Sequence, residues 1–252
     1  MYNTEKDYEN GDEMNIINIF KKNNENFWHE KKPTIAFLGD SVTQGCFDIY
    51  EDSEGKCDTF FEPEYAYHRY IARILGMLYP RVPVNIINAG LSGDNVVHGL
   101  ERLERDVLSH NPDLTVVCFG LNDCARGDDG LELFYNSLTE IFTKLKDAGS
   151  EVIFMTPNMM NTKVSCHIKP EFKSSAEMAM KWQADGWLDR HVETGIRAAN
   201  DCGVRVCDVY SKWKRMNENG VDTTELLANK INHPIHEMNW LFAYSLVEEM
   251  MK

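Results

Sequence analysis

Short apolar runs alternate along the chain with longer stretches of mixed character. The runs Thr34 to Leu38, Val84 to Asn88, Leu114 to Phe119, Glu151 to Met155 and Val204 to Val209 are rich in β-branched and aliphatic residues, and their length suits buried strands. Between them, apolar residues recur at a period of about 3.6, as Ile71, Ile74, Leu75 and Leu78 do within Glu64 to Tyr79. Similar helical stretches run over Val97 to Ser109, Leu131 to Asp147, Ala184 to Asn200 and Glu237 to Met251. Strands alternating with helices predict parallel pairing through right-handed crossovers. The expected fold class is therefore α/β, a three-layer α/β/α sandwich on a five-stranded parallel sheet. There is no internal repeat or low-complexity tract. Upstream, Asn15 to Lys32 carries Ile16, Ile17, Ile19, Phe20, Phe27 and Trp28, the pattern of one more helix. The chain thus divides into an N-terminal extension over 1–32, expected to be helical, and one domain over 33–252. The apolar face of the extension is expected to pack back on the domain, with a docking helix for a partner as the alternative.

Composition narrows the function classes. A chain of 252 residues with 43% hydrophobic residues can bury one substantial core. Its net charge of −14 argues against a nucleic-acid partner, because contacts to phosphates need clustered Lys and Arg. No apolar run approaches the roughly 20 residues that span a bilayer, so no membrane role is expected. The stretch Met1 to Glu13 is polar and acidic, without the cationic start and apolar core of a signal peptide, and a cytoplasmic location is expected. Seven cysteines, at 46, 57, 118, 124, 166, 202 and 207, include no C-x-x-C pair, and several sit in apolar runs. A disulfide framework, a zinc site or a catalytic cysteine is not expected.

The candidate chemistry lies where strands end. In an open α/β sheet, ligands bind outside the carboxyl ends of the strands. The first run stops at Gly39-Asp40-Ser41, the second leads to Gly90-Leu91-Ser92-Gly93, the third to Gly120-Leu121-Asn122-Asp123, and Asn232-His233-Pro234 follows the fifth. All four segments fall on one rim. A serine after a buried strand, with donors and a base close by, fits a serine hydrolase. The serine hydroxyl needs a base to take its proton, and the oxyanion made by its attack needs preorganised donors. Among the eight histidines, His68 and His98 lie within expected helices and His110 at a helix end, and His236, three residues away, is the serious competitor of His233. The His-Pro pair and the following aromatic helix favour His233.

At these residues the chain resembles the GDSL-type, or SGNH, hydrolase family, whose blocks supply a serine, a glycine, an asparagine and a histidine in this order. The resemblance runs from about Pro33 to Lys252. It implies a flavodoxin-like fold and hydrolysis of ester or related acyl bonds, without saying which ester; nothing in the chain calls for a metal or organic cofactor. It assigns Ser41 as nucleophile and His233 as general base and then acid. It assigns the oxyanion hole to the backbone N–H groups of Ser41 and Gly93 and the side-chain amide of Asn122. Asp40 reads as a support that bonds the turn.

One position departs from the family. The aspartate usually found three residues before the histidine, which fixes the imidazole tautomer, is here Lys230, and lysine accepts no hydrogen bond. Three explanations stand: a backbone carbonyl orients the ring, as in family members with a Ser-His dyad; Asp222 or Glu225 substitutes; or catalysis is weak or absent. The dyad is favoured. Cys46, Phe47, Asp48 and Tyr50 are expected to wall the cleft, and the long excursion from Asn158 to Trp187 to shape it. Trp182 and Trp187 fit either sugar stacking or helix packing. Polar rim loops favour a short acyl group such as acetyl on a carbohydrate or small alcohol. The alternatives are a lysophospholipase or thioesterase, a silent binding module, and an interaction protein. The substrate-binding residues and the oligomeric state stay open.

Overall fold

The computed structural model describes residues 14–252, so the Met1 to Glu13 expectation lies outside the described residues. Five parallel strands, β1 (Thr34–Gly39), β4 (Asn85–Gly90), β5 (Leu114–Cys118), β6 (Glu151–Met155) and β7 (Arg205–Cys207), form a sheet of order β4-β1-β5-β6-β7. This is the flavodoxin-like arrangement expected from sequence, and β1 is buried along its whole length, as a central parallel strand covered on both faces must be.

Alternation along β1 sends its side chains to two cores. Ile35 and Phe37 pack with Tyr67, Ile71 and Leu75 of α3 (Tyr67–Leu78) and with Phe242 and Leu246 of α10 (His236–Met250). Ala36 and Leu38 pack on the opposite face with Leu138, Ile141 and Phe142 of α6 (Leu131–Asp147). The helix α1 (Asn15–Glu25) joins the first core through Ile16, Ile17 and Phe20. Its first N–H groups, those of Asn15 and Ile16, donate to the Glu151 carboxylate at 2.7 Å each, which supplies a helix N-terminus with a negative charge from a distant strand. The boundary drawn at residue 32 thus does not separate two packing units.

Several elements differ from the expected pattern. The stretch over 97–109 breaks into α4 (Val96–Glu101), α5 (Leu103–Asp106) and a 3₁₀ turn. The helix expected from Ala184 starts later, as α8 (Trp187–Asp201), after α7 (Lys173–Ala184), with Gly186 in the left-handed conformation between them. A further helix, α9 (Tyr210–Glu218), follows β7. Finally, β2 (Cys46–Glu51) and β3 (Cys57–Phe61) form an antiparallel hairpin just after the single-turn α2 (Ser41–Gln44). Among the described residues, no helix is long and apolar enough to cross a membrane.

Candidate active site

The sheet order places β1 between β4 and β5, so the chain leaves β1 at the point where strand order reverses, where crevices form in such folds. Ser41 is the first residue of α2. The carboxylate of Asp40 caps this turn by accepting from the Val42 N–H at 3.0 Å. The turn sits tightly against β4: a Cβ on Gly90 would lie 2.2 Å from the Gln44 backbone nitrogen. Gly90 is therefore the residue that lets the serine turn approach the sheet.

Ser41 Oγ lies 2.9 Å from His233 Nε2. The two residues are 192 positions apart and both are buried. Burial holds the His233 pKa down at about 4, while the Asp48 charge and a hydrogen bond to the Phe47 carbonyl act in the opposite sense. The ring is thus neutral at neutral pH and able to accept a proton.

The other edge of the ring carries what replaces the missing aspartate. His233 Nδ1 meets Cys46 Sγ at 3.3 Å and Asn229 Nδ2 at 3.1 Å, and because Nε2 is turned to Ser41, the hydrogen bond of the ring to the Phe47 carbonyl falls to this edge as well. Burial pushes the Cys46 thiol up to about 12, so it stays protonated. Asn229 Oδ1 accepts from the backbone N–H groups of Ile231, Asn232 and His233, each at 3.0 Å. Those three bonds fix the orientation of the amide and present its NH₂ to the ring. The carbonyl favours a proton on Nδ1, which leaves the Nε2 lone pair for the Ser41 hydroxyl; the Asn229 N–H favours the opposite tautomer. Lys230 takes a positive φ of 58° and pairs with Glu225 at 3.1 Å. Glu225 also accepts from Ser165, and Asp222 pairs with Lys163. The two candidate acids are therefore committed to other partners and are not brought to the imidazole.

Gly93 has φ of 76°, and a Cβ there would point into open space. The left-handed backbone, not crowding by the protein, is what calls for glycine. Asn122 donates one amide N–H to the Asp94 carbonyl at 2.7 Å, which leaves its other N–H for a further acceptor. Beneath this loop, buried Arg102 donates to Asp94 Oδ2 at 2.7 Å, the Ala89 carbonyl at 2.7 Å and the Gly39 carbonyl at 2.9 Å. One guanidinium thus ties the ends of β1 and β4 to the glycine loop. Asp123 caps α4 by accepting from the Val96 N–H at 2.9 Å. Burial, with the nearby Asp94 charge adding to it, pushes Asp40 up to about 7 and Asp123 up to about 6.

Ser41, His233, Gly93 and Asn122 all follow the carboxyl ends of strands, as expected. His236 instead bonds Glu62 at 2.9 Å. Asn229 and Arg102 are not marked as functional by the sequence. Asn229 sits beside the conspicuous Lys230, and Arg102 has the pattern of one more charge on a solvated helix face. Trp182 and Trp187 stack on each other at 6.4 Å and pack against the core. Asn158 to Asn161 is buried, and Asn158 donates to the Asn232 carbonyl at 2.8 Å, so this segment braces the histidine loop. Among the described residues no group of three or more His, Cys, Asp or Glu is arranged to hold a metal ion.

Residues 37–241 match the profile of the GDSL-like lipase/acylhydrolase family. The chain is 28% identical over 132 residues to an acetylxylan esterase of Geobacillus stearothermophilus, a match covering 49% of this chain and 58% of that protein. It is 35% identical over 72 residues to an arylesterase of Vibrio mimicus, covering 29% and 36%. The matched portion thus spans less than two thirds of either relative. Among solved structures, a lipase/acylhydrolase from Enterococcus faecalis superposes with a TM-score of 0.65 at 22% identity, over 86% of this chain and 95% of that one. An acetylxylan esterase from Geobacillus stearothermophilus gives 0.64 at 18% identity, over 86% and 94%. These likenesses concern the fold.

Proposed function

Because the chain belongs to the GDSL-like lipase/acylhydrolase family, we propose that it is a serine esterase acting on short acyl esters, of the acetyl type on a carbohydrate or small alcohol. The 2.9 Å contact between Ser41 Oγ and His233 Nε2 carries the reading. His233 takes the proton of Ser41 as the oxygen attacks the ester carbonyl. The oxyanion accepts hydrogen bonds from the N–H groups of Ser41 and Gly93 and from the free amide N–H of Asn122. As the tetrahedral adduct collapses, His233 gives its proton to the leaving alcohol, and an acyl-enzyme remains on Ser41. Water then repeats the sequence: His233 takes its proton, the hydroxide attacks the acyl carbon, and Ser41 recovers its hydrogen.

The Ser-His pair works here without an aspartate on the ring. The Phe47 carbonyl orients the imidazole, Asn229 holds its loop, and Asp40 and Arg102 fix the serine turn and the glycine loop. Support for a short acyl group comes from the acetylxylan esterase relative. The test compares acetate release from acetylated xylo-oligosaccharides with hydrolysis of p-nitrophenyl esters from acetate to dodecanoate and of lysophosphatidylcholine. The reading expects kcat/KM to fall with acyl length and the acetylated sugar to be turned over. Preference for dodecanoate or the lysolipid would assign the site to a lipid acylhydrolase.

A further inference from the structure

Resting on the esterase reading above, we infer that the cavity between the β2–β3 hairpin and the start of α10 is the subsite for the alcohol half of the ester, and that it takes a neutral sugar ring or a compact polyol. The cavity has a volume of about 380 Å³, within the range of roughly 300–1,000 Å³ usual for small-molecule sites. It lies against the loop that carries His233, next to the residues that surround the ring. Phe47 and Asp48, which act on the His233 ring, line it, as do Ala228, whose N–H donates to the His233 carbonyl at 2.7 Å, and Ile235, two residues further on.

The lining pairs flat apolar faces with acceptors. Phe60, on the rim, is 54% exposed, and nearby Tyr50, Phe61 and Tyr65 are also exposed. So many exposed aromatics around one hairpin do nothing for the core, but they offer faces on which the C–H side of a sugar can lie. His236 is held in place from three sides. It stacks on Tyr65 with ring centroids 4.0 Å apart, meets Phe47 edge-on at 4.4 Å, and bonds Glu62 at 2.9 Å.

The charges decide the ligand class. Asp48, Glu62 and Glu237 line the cavity, and no lysine or arginine does. A phosphate-bearing alcohol would meet three carboxylates, while the ammonium of Lys169 beside them is already held by Asp48 and the Ile49 carbonyl. A cationic alcohol fits poorly as well, because Asp48 is paired with Lys169 at 2.8 Å and Glu62 is hydrogen-bonded to His236 at 2.9 Å, which leaves Glu237 alone of the three lining carboxylates to face it. Paired carboxylates keep lone pairs free, and hydroxyl groups are the donors that use them without bringing a charge of their own.

The experiment follows one ratio, kcat/KM for acetylated xylotriose over kcat/KM for p-nitrophenyl acetate, in the wild type, Phe60→Ala and Phe60→Trp. Phe60 is exposed, so both variants fold. The ratio is expected to drop at least fivefold in Phe60→Ala and to recover in Phe60→Trp. An unchanged ratio overturns the subsite while leaving the esterase reading intact. A Phe60-dependent preference for acetylcholine over the acetylated sugar overturns the neutral-polyol assignment. Should the wild type hydrolyse no ester, the esterase reading fails, and calorimetric titration with xylotriose judges the cavity alone. Binding weakened in Phe60→Ala supports it, and no binding to the wild type overturns it.

Discussion

Replacing Asn229 by aspartate should build the acid that this chain lacks. The new Oδ1 keeps the three backbone donors at 3.0 Å that now hold the amide, and the new Oδ2 takes the place of Nδ2, 3.1 Å from His233 Nδ1. An N–H donor that favours the unproductive tautomer becomes an acceptor that favours the productive one. At 3.1 Å and an effective dielectric constant of about 20, a full charge pair is worth about 5 kcal/mol, or roughly four pKa units. Burying the new carboxylate offsets part of this, though its three N–H partners limit the penalty, and a net rise of about two units is expected. The His233 pKa, now about 4, should move to about 6. Loss of a triad acid can cost about 10⁴ in kcat, so restoring one should raise kcat by about tenfold or more. The assay is the pH profile of kcat and kcat/KM with p-nitrophenyl acetate from pH 3.5 to 9. In the wild type the acid limb falls near pH 4, because His233 must be unprotonated to act. In Asn229→Asp that limb should shift upward by about two units while the plateau rises. An unmoved limb with a lower plateau would refute the reasoning, showing that the Asn229 amide does not govern the ring.

The remaining predictions concern the other parts of the site. Asn122→Ala removes an oxyanion donor and should lower kcat by about 10²–10³ with little change in KM; a loss confined to KM would make Asn122 a ground-state contact. Asp222→Ala and Glu225→Ala should each keep kcat within about threefold, since neither acid reaches His233; a drop of several hundredfold in either would identify the missing acid. Asp40 keeps its proton to about pH 7 in the native state and loses it near 3.8 when unfolded. The native state therefore holds the extra proton between these values, and stability falls as pH rises through them, by up to about 4 kcal/mol. Asp40→Asn, which still accepts from the Val42 N–H, should flatten urea-denaturation stability between pH 5 and 8 and exceed the wild type at pH 8; parallel pH curves for the two proteins would contradict this.

The sheet was legible from sequence because its central strands β1, β5 and β6 are covered on both faces and so read as continuous apolar runs, β1 most clearly, while the edge strands β4 and β7 show shorter ones. Its carboxyl-end loops then marked the rim on which the serine, the glycine, the asparagine and the histidine were expected, and the structure brings Ser41 and His233 into contact there. The hairpin was not legible, because Asp48, Glu51 and Asp58 interrupt its two strands and much of its surface faces solvent. The partners of His233 were hidden for a different reason. Asn229 acts through an amide orientation fixed by three backbone groups, and Phe47 acts through its carbonyl, which every residue type possesses. Arg102 and Asp94 form a buried pair eight positions apart, whereas charge patterning marks neighbours on a helix at three or four positions. Proximity of this kind arises only once β1, β4 and α4 have packed together.

The central claim is that Ser41, driven by His233, is the nucleophile of an esterase, and it is tested most directly by the rate of p-nitrophenyl acetate hydrolysis with wild type and Ser41→Ala purified side by side. The account predicts clear turnover by the wild type and its loss in Ser41→Ala, with the variant still folded. Equal rates for the two proteins, or no wild-type activity on this or any other ester, would contradict it.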